Sequence, residues 1–252
     1  MMPVTGFEAL RELVRATERF LLPNACISCD ALVSVREPDA LVCGVCLSRM
    51  RAVGSGCSRC AQPLPPVGPC RFCAEWTERI HEVRSAVWLG PESRSLVHRL
   101  KYGHARRLGN LAGQIVADRV AFPGRCVLVP IPVSHRRLRE RGYNQAEIIA
   151  RELSRRWRLP MWSGLVRRTS QATSQTTLTP MARAANVSDA FSAEPPRGRQ
   201  AHDGRVVIVD DVLTTGATID ACARALADAG WNTIQAVTFA RAMPYEFHAG
   251  GY

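Results

Sequence analysis

From about Val83 onward, apolar runs alternate with amphipathic stretches, the pattern of an α/β unit built on a parallel sheet. VRSAVWLG (83–90) reads as a strand, and residues 93–120 as a helical region broken near Gly103. CVLVPIPV (126–133) is a short apolar run ending in prolines, which fits a buried strand feeding a loop. NQAEIIARELSRRW (144–157) puts Ile148, Ile149 and Leu153 on one side of a helix, with Gly142 as a turn and Asn144 as its cap. RVVIVDDV (205–212) is a nearly continuous β-branched run, as expected of a central parallel strand. TIDACARALADAG (218–230) predicts a helix closed by Gly230, and NTIQAVTFAR (232–241) a last strand.

Ahead of residue 80 the pattern is different. Phe7, Leu10, Val14 and Phe20 fit a short amphipathic helix over 1–22. Residues 23–80 are rich in Gly and Pro (Gly54, Gly56, Pro63, Pro65, Pro66, Gly68, Pro69) and poor in apolar surface. The domain organisation expected is therefore an N-terminal helix (1–22), a small module (23–80) and an α/β domain (81–252).

Chemistry explains how so polar a module folds. Eight of the ten cysteines form four CxxC pairs: Cys26/Cys29, Cys43/Cys46, Cys57/Cys60 and Cys70/Cys73. A CxxC turn points two thiolates at one ion, and two turns complete a tetrahedral site, so two structural Zn2+ ions are expected. Their binding would supply the folding free energy of the module. Sequential pairing gives two zinc ribbons, and an interleaved cross-brace uses the same ligands, so both pairings stay open. Cys126 and Cys222, each in an apolar segment, read as small core residues.

The net charge is +11, and all but one of the 33 basic residues are arginine, the exception being Lys101. Such a chain suits polyanionic partners, either nucleic acid or phosphate-rich small ligands. No window approaches about 18 uninterrupted apolar residues, and the first residues lack a secretory core, so no membrane span and a cytoplasmic location are expected. The tryptophans are scattered rather than spaced as a base-stacking row.

The most specific segment is VVIVDDVLTTGAT, residues 206–218. A hydrophobic strand delivers Asp210 and Asp211 at its C-terminal end, a Thr214–Thr215–Gly216 turn follows, and a helix begins near Thr218. Backbone N–H groups and hydroxyls then converge beside a helix N-terminus, where an anion is favoured. The adjacent acids suit hydroxyls, so these residues ask for a ligand with a phosphate at one end and a diol nearby. There is no GxxxxGK[ST] lysine, which argues against a P-loop nucleotidase.

This segment resembles the phosphoribosyl pyrophosphate (PRPP) motif of type I phosphoribosyltransferases. Together with LKYGHARRLGNLAG (100–113), VLVPIPVSHRRLRERGYNQAEIIA (127–150) and residues 166–191, behind the multi-CxxC segment, it resembles the ComF family of competence-associated proteins. The resemblance covers nearly the whole chain. It implies a type I phosphoribosyltransferase fold, a parallel sheet flanked by helices, with a Cys-rich double zinc ribbon in front. By that resemblance Asp210 and Asp211 hold the ribose hydroxyls, and the run Val212, Leu213, Thr214, Thr215, Gly216, Ala217 and Thr218 cradles the 5′-phosphate. Pro132, Val133 and Ser134, with Arg136 and Arg137, would face the pyrophosphate, which carries Mg2+. A flexible hood bearing Arg168, Gln175 and Arg183 would cover the site. Purine-specific relatives carry an acid where this chain has Thr214, so a 6-oxopurine acceptor is not expected.

Three functions remain compatible with these residues, since fold does not fix function. One is a phosphoribosyltransferase of unidentified acceptor. Another is an accessory of DNA uptake that binds single-stranded DNA, and other uptake proteins, with PRPP as regulator. The third is a PRPP sensor without turnover.

Overall fold

The β-branched run at 205–213 anchors the sheet, because residues buried on both faces leave no polar side to turn toward water. The computed structural model describes residues 25–33, 41–103, 105–169, 190–196 and 204–243. Along these the chain forms α1 (Gly44–Arg49), β1 (Ile80–Trp88), α2 (Pro91–Tyr102), α3 (Arg107–Arg119), β2 (Val127–Pro130) and α4 (His135–Arg141). It continues with α5 (Gln145–Trp157), β3 (Val166–Arg168), β4 (Phe191–Ala193), β5 (Arg205–Leu213), α6 (Ala217–Asp228) and β6 (Thr233–Arg241). The sequence-predicted helix at 1–22 lies outside the described residues.

A parallel sheet in the order β1-β6-β5-β2 forms the centre, and helices cover both faces. Strand alternation divides the core in two. Val207, Val209, Leu128 and Phe239 face one side, where they pack with Leu96, Leu108, Ile149 and Leu153 of α2, α3 and α5. Val206, Ile208, Val129 and Ile234 face the other, against Ile219, Cys222 and Leu226 of α6 and the indole of Trp231. Helices α3 and α5 meet closely through glycines. A Cβ at Gly109 would stand 2.7 Å from Ile148 Cγ2, and one at Gly113 2.7 Å from Glu152 Cβ.

The Cys-rich segment is split between the two faces. Cys26, Cys43, Cys46 and Met50 join the α2/α3/α5 side, whereas Cys60, Cys73 and Trp76 join the α6 side. The short pair β3–β4 is antiparallel and packs over α6 through Val166 and Phe191. Cys126 and Cys222 are buried as expected, and burial pushes the Cys126 thiol up to about 12, so it is inert near neutral pH.

Helix α4 lacks the apolar stripe of a packed helix, and its one large apolar residue, Leu138, is 41% exposed. Its ends define it. Ser134 Oγ accepts the Arg137 amide at 3.3 Å, and Gly142 stops it at φ +75, a conformation that disfavours any residue with a Cβ.

Candidate functional site

In open parallel sheets, ligands collect at the carboxyl ends of the strands, and here the candidate residues gather at the ends of β5 and β2. Pro130 pairs with Val209, and the Ile131 amide continues the ladder to the Val209 carbonyl at 3.0 Å. The loop Pro132–Val133–Ser134 therefore leaves the sheet beside Asp210.

The two acids are not equivalent. Adjacent residues of a strand point to opposite faces. Asp211 turns toward α2, where its Oδ2 lies 2.9 Å from Lys101 Nζ, with the carboxylate 5% and the lysine 24% exposed. Asp210 turns toward α6 and is half-buried, with Cys222 and Arg168 as neighbours. Burial, then the Asp211 carboxylate, holds Asp210 well above the ordinary carboxylate range. The Asp211 amide, 2.8 Å from its Oδ1, and Lys101 act in the opposite sense.

The phosphate-loop candidates follow directly. Val212 and Leu213 end β5, Thr214 and Thr215 are exposed, and Gly216 is the N-cap of α6 at φ +86. Ala217 is exposed and Thr218 half-buried in the first turn, whose amides have no intrahelical partner. A Cβ at Gly216 would overlap the indole of Trp76, whose Nε1 donates to the Thr215 carbonyl at 3.1 Å. The cradle is thus open on its outer side and walled behind by Trp76.

On the other side of Asp210, the loop after β2 is braced twice. Asn144 Nδ2 donates to the Ile131 carbonyl and Arg168 Nε to the Pro132 carbonyl, both at 3.0 Å. Arg168 also stacks 4.7 Å over Phe191. Burial and then the nearby Arg137 charge lower its pKa, with Cys222 and Asp210 acting in the opposite sense. Arg136 is exposed and engages Glu140 at 2.8 Å, which leaves Arg137 and Arg168 as the convergent pair. Arg168 belongs to the expected hood, but its place is at the base of this loop. Gln175 and Arg183, the other hood candidates, lie outside the described residues.

The cysteines fall into two groups, Cys26/Cys29/Cys43/Cys46 and Cys57/Cys60/Cys70/Cys73, the sulfurs of each within 4.8 Å of one another. Sequential pairing is therefore the arrangement in the molecule, not the cross-brace. The Sγ separations Cys29–Cys43 (3.7 Å), Cys57–Cys73 (3.8 Å) and Cys60–Cys70 (3.7 Å) are far too long for disulfides. They match the edge of a tetrahedron with metal–sulfur bonds of about 2.3 Å, which is roughly 3.8 Å. Both sets can hold zinc.

Lys101, Trp76, Arg59 and Arg241 are functional candidates that the sequence reading did not single out. Lys101 carried a signal, as the only lysine of the chain. The others had none, because their partners lie far away in sequence.

A phosphoribosyl transferase domain model matches residues 107–249. Among characterised proteins, the chain is 28% identical over 224 residues to competence protein ComFC of Bacillus subtilis, covering 81% of this chain and 89% of that one. It is 28% identical over 228 residues to DNA utilization protein YhgH of Shigella flexneri, covering 85% and 95%. To competence protein F of Haemophilus influenzae it is 35% identical over 115 residues, 46% of this chain and 50% of that one.

Proposed function

The chain belongs to the phosphoribosyl transferase family and is similar to the ComF competence proteins within it; from that premise we propose that it binds PRPP, as its magnesium complex, and transfers the phosphoribosyl group to an unidentified acceptor. The observation that carries this reading is the convergence on Asp210 of an open phosphate cradle (Thr214–Thr218) and a second anion locus made by Arg137 and Arg168. A ligand with phosphates at both ends of a ribose fits that spacing of chemistries, and a mononucleotide leaves the arginine pair empty.

In this reading the N–H groups of Thr215 to Thr218 and the α6 N-terminus hold the 5′-phosphate. Asp210 accepts from the ribose hydroxyls. The loop 132–134, with Arg137 and Arg168, neutralises the pyrophosphate as it leaves C1. The C1–oxygen bond breaks with its electron pair going to pyrophosphate, the acceptor's lone pair forms the new bond to C1, and the acceptor's proton passes to solvent. Asp211, in its ion pair with Lys101, acts on Asp210 rather than on the ligand. The eight cysteines would hold two zinc ions of structural role. The names of the relatives suggest that the activity serves DNA uptake or DNA utilization, and a cytoplasmic setting suits PRPP. Among the described residues no helix is long and apolar enough to cross a membrane.

Calorimetric titration of the zinc-loaded chain with PRPP and Mg2+ tests the proposal, beside Asp210→Asn. Wild-type binding that is lost in the variant supports it, and absence of binding in the wild type defeats it. Pyrophosphate release then screens acceptors.

A second reading, single-stranded DNA as an additional partner, is favoured by one feature. A cleft of about 370 Å3 between α3, α4 and α5 is lined by Arg106, Arg107 and Asn110 beside the Tyr143 ring, and by Arg151, which pairs with Glu147 at 2.9 Å. Phosphate contacts there predict binding that weakens steeply with salt. Changing the three arginines to Ala should flatten that dependence, and an unchanged salt slope would remove this cleft from consideration.

A further inference from the structure

We propose that the second four-cysteine knuckle is the back wall of the phosphate loop, so that metal held by Cys57, Cys60, Cys70 and Cys73 sets the loop's geometry and its affinity for PRPP, while the first knuckle does not. This rests on the PRPP reading above and adds a regulation of that same site.

Three ties join the knuckle to residues 213–220. The first is Trp76, three residues beyond the ligand Cys73. Its Nε1 donates to the Thr215 carbonyl at 3.1 Å, and its ring fills the space a side chain at Gly216 would need. In the second, the Thr77 amide donates to Asp220 Oδ1 at 2.5 Å, in the first turn of α6. Arg241, the register partner of Leu213 at the end of β6, supplies the third. Its guanidinium is fully buried and donates to the Cys60 carbonyl and to Gln62 Oε1 at 2.6 Å. It also lies 4.3 Å over the Phe72 ring. The next residue closes the strand end, the Ala242 amide meeting the Leu213 carbonyl at 2.8 Å.

These ties depend on the metal for two reasons. Residues 51–79 contain no helix or strand, and beyond the backbone bonds of Arg51, Val53 and Arg59 to β1 coordination is what would fix their path. Arg59, between the ligands Cys57 and Cys60, turns that fixed position into order at the wall. It donates to the carbonyls of Cys73 (2.9 Å), Ile80 (3.0 Å), Trp76 (3.3 Å) and Thr77. The second reason is charge. No carboxylate among the described residues lies within ion-pairing reach of Arg241, yet its guanidinium is buried, with Nε unpartnered. Four thiolates around a divalent ion carry a net charge of −2, and Arg241 Nη2 sits 3.9 Å from Cys60 Sγ. The loaded knuckle is the counter-charge that makes this burial tolerable. The first knuckle packs on the opposite face of the sheet, and among the described residues no hydrogen bond runs from residues 25–50 to the loop.

The test compares the full-length wild type with Cys70→Ser, Cys29→Ser and Trp76→Phe. Zinc content, far-UV dichroism, amide exchange of residues 213–220 without ligand, and PRPP–Mg2+ affinity are measured on each. Cys70→Ser should keep one zinc, lose loop protection at least tenfold and bind PRPP at least tenfold more weakly. Cys29→Ser should also keep one zinc but retain both loop properties. Trp76→Phe, which keeps every ligand and most of the ring but lacks the indole N–H, should show a several-fold loss of protection and affinity at full zinc content. If Cys70→Ser does not fold, Trp76→Phe decides, and wild-type exchange and affinity in that variant overturn the proposal. A folded, one-zinc Cys70→Ser protein with a wild-type loop overturns it as well. Loop protection that follows the second knuckle in a chain that binds no PRPP would defeat the ligand reading while supporting the coupling.

Discussion

Replacing Lys101 with Met should destabilise the protein by an amount that grows with pH. In the native protein the Lys101 ammonium stands 2.9 Å from an Asp211 carboxylate that is only 5% exposed. The gross attraction at that distance is about 6 kcal/mol with an effective dielectric constant near 20, and desolvation of both ions offsets much of it. Removing one partner of a fully buried pair costs about 3–5 kcal/mol. Because the lysine keeps a 24% exposed side chain, we expect about 2–3 kcal/mol near neutral pH, or roughly 4–12 °C in Tm for a chain of this size. The pH dependence follows from Asp210. Burial and Asp211 already raise its native pKa above the unfolded value, with Lys101 opposing them. Between those two values the native state binds more protons than the unfolded chain, so stability falls as pH rises. Without Lys101 the native value rises further and that window widens upward. The difference between wild type and variant should therefore grow from pH 5 to pH 8, on top of the loss of the Asp211 pair itself. Urea unfolding of both proteins at pH 5, 6, 7 and 8 measures this, and effects of cysteine protonation cancel in the difference. A flat difference across pH, or no destabilisation at all, would refute the electrostatic role assigned to Lys101.

Gly216→Ala should weaken PRPP binding at least tenfold and lower stability by about 1–3 kcal/mol, since φ is +86 and the new methyl meets Trp76; calorimetry and thermal melts read the two effects. Arg168→Met should reduce affinity for PRPP about 10–100-fold, as expected for loss of a charge-assisted anion contact, while sparing ribose 5-phosphate, which has no pyrophosphate. Equal losses for both ligands would remove Arg168 from the pyrophosphate end. Asp210→Asn should abolish PRPP binding yet raise ligand-free stability by about 1 kcal/mol at pH 8, because the amide keeps the Asp211 N–H bond and needs no proton; a less stable variant at that pH would contradict the raised pKa.

What the sequence made legible is what is local in sequence. The β-branched run of β5, the amphipathic face of α5 with its Asn144 cap, and the Asp–Asp–Thr–Thr–Gly turn each carry their signal within a dozen residues, and each appears where expected. CxxC spacing makes metal chemistry readable for the same reason, but it is silent on pairing, since both arrangements use the same turns. Helix α4 was missed because HRRLRER has no buried stripe, although its Ser134 cap and Gly142 stop were readable. Contacts such as Trp76 with Thr215, 139 residues apart, or Arg241 with Gln62, 179 apart, exist only once both core faces are packed. No local pattern announces them.

The acid doublet illustrates the same limit within a single motif. Read as text, Asp210 and Asp211 are interchangeable, two carboxylates for two hydroxyls. On a strand they cannot be, because alternation sends one to each face, and the faces differ. The α2 face offers Asp211 a lysine and buries the pair. The α6 face offers Asp210 a thiol and a guanidinium already engaged elsewhere, and leaves it half-open. One carboxylate is thus neutralised inside the protein, while the other is held near a proton it gives up only at a cost. A ligand that brings hydroxyl donors and its own cation relieves that cost on binding. In the proposed reading the doublet works as a pair because its members do different things: Asp211 is held by Lys101, and Asp210, kept poorly satisfied by burial and by the Asp211 carboxylate, is the group with most to gain from PRPP–Mg2+.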